Sequence, residues 1–550
     1  MNPAVRRFAE AFRHPVLQAS LMGVAVAALH AVVRLSDAVA VGAFNDDGVY
    51  VALGRALADG EGYRSLYAPG APVHVKYPPG LPLVLAALWK IGGSLEVVAR
   101  AHGGLMLLVN GIAAALVWWL ARRELDLTLA FAAIFALGPF FTEMAVEYFH
   151  LPLSDPYFVG IWAAALVTYA TLRRRRERLG TDHEPWVAAL VLGLLVALAT
   201  LFRTQGVVLV LALGIALLMD RFRRRTVTAY AVSALGPLVI WSVVHQAMVA
   251  VGPLSTQPDE APYTSWITVG TPWEMAAFVW RAVVLNWTWY WRGMPGNFAD
   301  QWLSGVLILV VLALALAGGL VREFPRRPAL ALSLAGTIAL LAVWPWPQDR
   351  FVAACLPLAG LLAGRGTQLA LARCRRALQA AGYATLVVLV GSIAARQVEI
   401  RRSAYWPTNP QEVLGVTSPG FTLLSNTRFL VSVARWTLAN TRRDDRIMVF
   451  SPAALFLYTR RQAVAGSPAE SRIGPSVFDT PGRYLARRTL EDGVTVVVGG
   501  SPQIEGELTA VRHRCPASVT FAGTSEGWAE VRMFRIGRDE VCLRSVLDGS

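Results

Sequence analysis

The residues with the most chemistry to offer begin at Phe44-Asn-Asp-Asp-Gly-Val-Tyr50, just beyond the first long apolar run of the chain. Asp46 and Asp47 are carboxylates in a water-accessible stretch, ionised at neutral pH, as a general base acting on a hydroxyl must be. Asn45, Asp46 and Asp47 are equally suited to cap a helix over Gly48 to Ala58, and the two roles can sit on adjacent residues. His74-Val-Lys-Tyr-Pro-Pro-Gly-Leu-Pro82 follows, and Lys76 and Lys90 are the only lysines among 550 residues. An ammonium such as Lys76 can hold a phosphate as a point charge, or can simply extend along the surface of a Pro-stiffened turn. Lys90, inside an apolar stretch, reads as interfacial. Tyr50 and Tyr77 place hydroxyls in the same two stretches and count as candidate site residues.

A second acidic group lies in Glu143-Met-Ala-Val-Glu-Tyr-Phe-His-Leu-Pro-Leu-Ser-Asp-Pro-Tyr157. Asp155 before Pro156 is a common first-turn arrangement for a helix, yet Glu143, Glu147, His150 and Asp155 crowd one short segment. With Asp46 or Asp47 they could hold a divalent metal, although no tight ligand spacing such as His-x-x-x-His is present, so no cofactor is assigned. Arg203 in Phe202-Arg-Thr-Gln-Gly206 and Arg350 in Trp344-Pro-Trp-Pro-Gln-Asp-Arg350 sit at two further turns. Each could stabilise a departing phosphate or anchor a helix at lipid headgroups. The run Trp287-Thr-Trp-Tyr-Trp-Arg292, with Trp302, suits an interfacial aromatic belt.

What must position these residues follows from composition. The chain is 55% hydrophobic and 16% charged, against roughly 25% charged in an average soluble domain. A plain soluble enzyme is thereby excluded. Apolar segments near 16–35, 101–120, 127–142, 157–172, 186–201, 206–219, 227–251, 303–321, 328–343, 351–364 and 380–395 predict an α-helical polytopic membrane protein with about eleven transmembrane helices. The first segment reads as a retained span and not as a cleaved signal.

The net charge of +14 arises from arginine clusters between spans. Arg6/Arg7/Arg13, Arg122/Arg123, Arg173–Arg176 with Arg178, Arg221 with Arg223–Arg225, Arg322/Arg326/Arg327 and Arg365 with Arg373/Arg375/Arg376 hold 21 Arg and no Lys. Such clusters mark cytoplasmic loops. The positive charge is accounted for by topology and anionic lipid, and no nucleic-acid partner is expected. The apolar stretch Leu81 to Gly93 is then not a crossing, because a crossing there would reverse every later loop. It belongs to a first outer loop, residues 36–100. No Gly-rich phosphate loop, Gly-x-Ser-x-Gly elbow or Cys-x-x-Cys supports nucleotide hydrolysis or redox work.

Beyond residue 396 the pattern changes. Arg446–Phe450, Val494–Val498, Val519–Ala522 and Trp528–Phe534 read as strands between Gly/Pro turns. The predicted organisation is a membrane unit over 1–396 and a small extracytoplasmic α/β domain over 397–550. Cys515 and Cys542 fall in the latter, either bridged in an oxidising compartment or free and buried. Cys355 and Cys374 read as structural.

Asn45-Asp-Asp-Gly-Val-Tyr50, Gly54-Arg-Ala-Leu-Ala-Asp-Gly-Glu-Gly-Tyr63 and Lys76-Tyr-Pro-Pro-Gly-Leu-Pro-Leu83 resemble the first outer loop of the integral-membrane glycosyltransferases of the C superfamily (GT-C). The branch most similar is that of protein O-mannosyltransferases and aminoarabinose transferases. Leu153-Ser-Asp-Pro-Tyr-Phe158, Leu201-Phe-Arg-Thr-Gln-Gly206 and Gln348-Asp-Arg-Phe-Val352 resemble later landmarks of the same group. The resemblance covers about residues 16–395. It implies transfer of a sugar from a polyprenyl-phosphate donor to a glycan, lipid or protein acceptor on the outer face of a plasma (inner) membrane, by an inverting displacement. Asp46 would be the base, with Asp155 as a second acid. The family's acidic pair is often Asp-Glu where this chain has Asp46-Asp47, so the resemblance does not choose between them. It places Lys76 toward the donor phosphate and Arg203 where relatives carry a basic residue. A non-enzymatic carrier for polyprenyl-linked glycans would use similar groups, but would need them at the membrane midplane.

Overall fold

Long runs of Leu, Ala and Val with few breakers leave the backbone one way to satisfy itself in an apolar setting, the α-helix. The computed structural model of the chain describes residues 14–34, 41–42, 44–142, 145, 148–149, 151–179, 186–255, 271–293, 302–344, 349–373, 422–466, 480–499, 501–524 and 531–548. Helices Pro15–Arg34, Leu95–Trp119, Asp155–Leu179, Trp186–Phe202, Val207–Met219, Arg224–Val251, Trp302–Glu323, Pro328–Val343 and Leu356–Ala372 carry the apolar bundle. Among the described residues three stretches, Pro15–Val32, Leu95–Glu124 and Arg224–Val251, are long and apolar enough to cross a membrane by length and composition.

Helical structure lies over ten of the eleven predicted segments, and the eleventh, 380–395, lies outside the described residues together with Arg6, Arg7, Arg13 and Cys374. The segment 127–142 is irregular. It starts as an α-helix capped by Thr128, widens to a π turn at Ala133–Leu137 and tightens to a 3-10 turn at Gly138–Phe141, where Pro139 cannot continue a helix.

Between the segments 227–251 and 303–321 the structure adds a helix that the sequence reading did not name. Pro272–Gly293 lies in what was expected to be an outer connection with an aromatic belt. Its start carries a reciprocal cap: the Thr271 N–H donates to Glu274 Oε2 at 2.6 Å and the Glu274 N–H donates to Thr271 Oγ1 at 3.3 Å. Asn286 then donates to the terminal carbonyls of Pro328–Val343 and its cap, reaching Leu341 at 3.1 Å, Ala342 at 2.9 Å and Trp344 at 2.7 Å.

Helix Asp155–Leu179 has 25 residues, so its ends are about 37 Å apart, and they separate two kinds of chemistry. At the Leu179 end the arginine-rich turns are tied together. Arg174 pairs with Glu124, Arg173 lies 3.6 Å from Asp220, and Arg365 meets Glu323 at 3.1 Å, with Arg327 on the same carboxylate. At the Asp155 end sits the stretch 41–93, folded as helices Asp46–Asp59 and Gly80–Gly92 packed on each other, with Trp89 Nε1 donating to the Val51 carbonyl at 3.2 Å. The apolar stretch Leu81 to Gly93 is thus a helix in this cap.

Small residues set how closely the bundle helices approach. A Cβ on Gly366 would run into the Ala315 carbonyl of the neighbouring helix, and one on Gly319 into that of Leu362, the close backbone contact that small residues permit between apolar helices. Gly366→Val is expected to destabilise the protein by about 2 kcal/mol or more, because backbone and not a flexible side chain must move. Melting of the purified variant in detergent checks this, and an unchanged melting temperature would show that the two helices can separate freely.

In the C-terminal region a five-stranded sheet has the order β2-β1-β3-β5-β4, from β1 (Arg446–Val449), β2 (Ala463–Ala465), β3 (Val494–Val498), β4 (Val519–Thr524) and β5 (Arg532–Ile536). The first three are parallel and the last two join antiparallel. Only β2, three residues long, was absent from the strands read in the sequence. Cys515 and Cys542 are disulfide-bonded, with Cα atoms 5.8 Å apart, which decides between the two alternatives left open for them. Cys355 is a buried free thiol.

Candidate active site

Two adjacent acids on a helix point about 100° apart, and that rotation gives Asp46 and Asp47 different roles. Helix Asp46–Asp59 begins with both, where carboxylates suit the positive end of the helix dipole. The expected side-chain cap from Asn45 is not formed; Asn45 takes a left-handed φ of 64° and makes no cap bond. Asp47 instead turns inward, fully buried, and accepts the Gly42 N–H at 2.7 Å on Oδ2 and the Phe44 N–H at 3.1 Å on Oδ1. Burial pushes its carboxyl up to about 6, against the pull of the backbone N–H groups of Gly42, Phe44 and Gly48. It holds the turn that leads into the helix.

Asp46 faces the other way. The Tyr77 hydroxyl donates to its Oδ1 at 2.6 Å, and Arg350 Nη2 forms an ion pair with its Oδ2. Burial acts to raise this carboxyl, but Arg350, Lys76 and the Tyr77 hydroxyl outweigh it and hold it below the ordinary range. Arg350 is 4% exposed, its guanidinium carbon 4.6 Å from the centroid of the Phe44 ring and 5.1 Å from that of Phe351. Lys76 is half-buried, with Nζ 5.4 Å from the Tyr77 ring centroid.

The second acid arrives from the bundle. Asp155 is the first residue of its helix and is fully buried, ion-paired with Arg203 from the turn after Trp186–Phe202. Arg203 Nε also donates to Gln205 Oε1 at 2.8 Å, and its guanidinium carbon is 4.6 Å from the Phe351 centroid. Phe351 therefore carries both guanidiniums against its ring, which is favourable for a cation held away from water. Tyr50 joins the two halves: its hydroxyl and Ser154 Oγ are 3.3 Å apart, and its ring packs 4.9 Å from that of Tyr77.

Tyr77 is in turn fixed by His74. The Tyr77 N–H donates to His74 Nε2 at 3.1 Å, so the ring proton is assigned to Nδ1, which donates to Ser65 Oγ at 3.1 Å. Burial first, then Lys76 and His245, lower the His74 pKa to about 3, and the imidazole stays neutral. The rings of His74 and Tyr77 stack at 5.3 Å, and Tyr63 donates to the Tyr77 carbonyl at 2.9 Å.

The structure thus brings together Asp46, Tyr50, Lys76, Tyr77, Asp155, Arg203 and Arg350 from five separated segments, and sets Asp47 apart as a support. Arg203 and Arg350 are not headgroup anchors, since both are buried and each meets a carboxylate. Glu147 and His150, with Glu143, lie outside the described residues. Among the described residues no group of three His, Cys, Asp or Glu is placed to hold a metal ion. Phe44, Phe351, Ser154, Gln205 and His74 were missed as site residues by the sequence reading, although each neighbours a residue that it named. Lys76, Arg203 and Arg350 bring three cations to Asp46 and Asp155, and guanidinium and ammonium groups are what a phosphate would meet there.

No protein-family model and no curated protein matches the sequence. Solved structures do. The archaeal oligosaccharyltransferase AglB from Archaeoglobus fulgidus, in complex with an inhibitory peptide and a dolichol-phosphate, superposes with a TM-score of 0.55 at 12% identity, over 92% of this chain and 70% of that one. ArnT from Cupriavidus metallidurans bound to undecaprenyl phosphate gives 0.52 at 15% identity over 94% of this chain and 97% of that one. Its apo state gives 0.53 at the same identity and coverage.

Proposed function

We propose, on the premise that this chain has the GT-C glycosyltransferase fold, that it transfers a sugar from a polyprenyl-phosphate donor to an acceptor hydroxyl at the outer face of the membrane. The observation that carries this is the convergence of the Asp46–Tyr77–Arg350 and Asp155–Arg203 sets on Phe351 at the bundle end away from the arginine turns. We read the basic turns as facing the cytoplasm, and the site, the first loop and the sheet as lying outside, in a plasma (inner) membrane. The Cys515–Cys542 bond supports that side, since disulfides persist in oxidising compartments. The membrane unit is taken as residues 1–396 and the outer α/β domain as 397–550.

In this reading the donor phosphate competes with Asp46 for Arg350 and is held by Arg350, Arg203 and Lys76. Losing part of its counter-charge, the Asp46 carboxylate becomes more basic and takes the proton of the acceptor hydroxyl. The acceptor oxygen bonds to the anomeric carbon from the face opposite the phosphate, and the bond from that carbon to the phosphate oxygen breaks. Its electron pair stays on the polyprenyl phosphate, which leaves without a general acid. Configuration at the anomeric carbon inverts. Asp155 acts by orienting Arg203.

Tyr77→Phe tests the base. The hydroxyl stabilises the ionised carboxylate, so its removal raises the pKa of Asp46. More of the base is then protonated at a given acidic pH, and the acid limb of the pH–rate profile moves to higher pH. An unmoved limb would assign the titration to another group.

The function itself is tested by giving the purified protein a panel of labelled polyprenyl-phosphate sugars with glycan, lipid and peptide acceptors. Consumption of one donor with release of polyprenyl phosphate supports the reading. Movement of intact donor across a vesicle membrane, with no bond broken, would make the protein a carrier.

A further inference from the structure

The outer sheet does not stand clear of the site. Helix Pro452–Thr459, which follows β1, contributes Ala453 and Leu457 to the same hydrophobic cluster as Tyr50, Leu53, Tyr77 and Leu153. Its Tyr458 hydroxyl donates to the Val41 carbonyl at 2.9 Å and receives the Val41 N–H at 3.4 Å. Ala454 lies against the turn that Asp47 holds. A Cβ on Gly48 would be 3.1 Å from the Ala454 Cβ, and one on Gly42, whose φ is +97°, would overlap Ala454 and come within 2.7 Å of Leu430 Cδ2. A few residues on, the Ala463 N–H donates to the Tyr67 carbonyl at 2.7 Å.

These contacts have a direct route to the acid. Gly42 and Phe44 donate to Asp47, the Phe44 ring lies against the Arg350 guanidinium, and Arg350 pairs with Asp46. Gly42 and Phe44 are thus tied to one carboxylate, so a shift of Gly42 bears on the same side chain that holds Phe44.

We infer that helix Pro452–Thr459 is a positioning element of the active site, with Tyr458 fixing Val41 and Ala454 fixing Gly42 and Gly48, and thereby the geometry of the Asp46–Arg350 pair. The C-terminal region is then part of the catalytic unit. This rests on the function proposed above for its kinetic consequence, but its structural consequence can be read without turnover.

Two full-length variants test it. Tyr458→Phe keeps the ring and removes both hydrogen bonds to Val41, and Ala454→Leu pushes on Gly42 and Gly48. The expected result for Tyr458→Phe and Ala454→Leu is a fall in kcat of about tenfold, with donor KM changed less than about twofold, since the loss falls on the transition state. Backbone amide exchange over residues 44–50 is expected to rise in the same two variants. Wild-type kcat and wild-type exchange in Tyr458→Phe and Ala454→Leu would overturn the inference. So would a loss of folded protein with unchanged kcat and exchange in the fraction that folds. If the parent protein consumes no polyprenyl-phosphate sugar, the function reading fails, and the exchange experiment alone still decides whether this helix fixes the turn.

Discussion

Asp46→Asn is expected to lower the rate of sugar transfer by about 10²–10⁴-fold, the contribution of a positioned base. The amide keeps the shape and can still accept from Tyr77, but it cannot take a proton and no longer neutralises Arg350. Because Arg350 is buried, the variant also carries a stability cost, and melting and membrane insertion have to be followed beside the rate. Asp47→Asn serves as the internal comparison. Its oxygens are occupied by Gly42 and Phe44, so its loss loosens the turn without removing the base, and its kcat is expected to fall less than that of Asp46→Asn. A dead Asp47→Asn beside an active Asp46→Asn would exchange the two roles. The Asp46–Arg350 pair also predicts acid sensitivity. A carboxyl held below its ordinary value contributes stability that is present at neutral pH and is lost as pH falls through its folded-state pKa.

Arg203→Ala is expected to be the most destabilising single change at the site. It leaves Asp155, with no exposure to solvent, as an unpaired buried charge, and breaking such a pair from one side costs about 3–5 kcal/mol. Adding Asp155→Asn removes that stranded charge and should recover a large part of the loss. The double variant should therefore melt above Arg203→Ala while remaining poorly active, because the cation proposed to face the donor phosphate is still missing. Melting temperatures of the parent, both single variants and the double variant measure the coupling. Additive losses would mean that Asp155 and Arg203 do not depend on each other for their burial.

How much of this could be read in the chain depended on distance. Asp46, Lys76 and Tyr77 stand in short stretches whose polarity departs from their apolar surroundings, and Asp155 and Arg203 each mark a helix end, so all five were visible as candidates. Their pairing was not. Arg350 reaches Asp46 across 304 positions, and nothing local says which arginine meets which acid. The division of labour between Asp46 and Asp47 was hidden for another reason: two identical neighbouring side chains differ only in the direction the helix turns them. Helix Pro272–Gly293 was legible in principle, since Thr271-Pro-Trp-Glu274 is a capping signal, but its tryptophans drew the reading toward a belt. The contact of Tyr458 with Val41 spans 417 positions and joins regions that composition separates, so nothing local in the sequence shows that they pack together.

The central claim is that the pocket around Phe351 receives the phosphate of a polyprenyl donor. A cryo-EM structure of the full chain with a polyprenyl phosphate bound tests it directly. The account predicts phosphate oxygens within hydrogen-bonding distance of Arg350 and Arg203, with Arg350 drawn away from Asp46 and the prenyl tail leaving along the bundle. A phosphate seated instead among Arg173, Arg327 and Arg365 at the far end, with the Asp46–Arg350 pair intact, would contradict it.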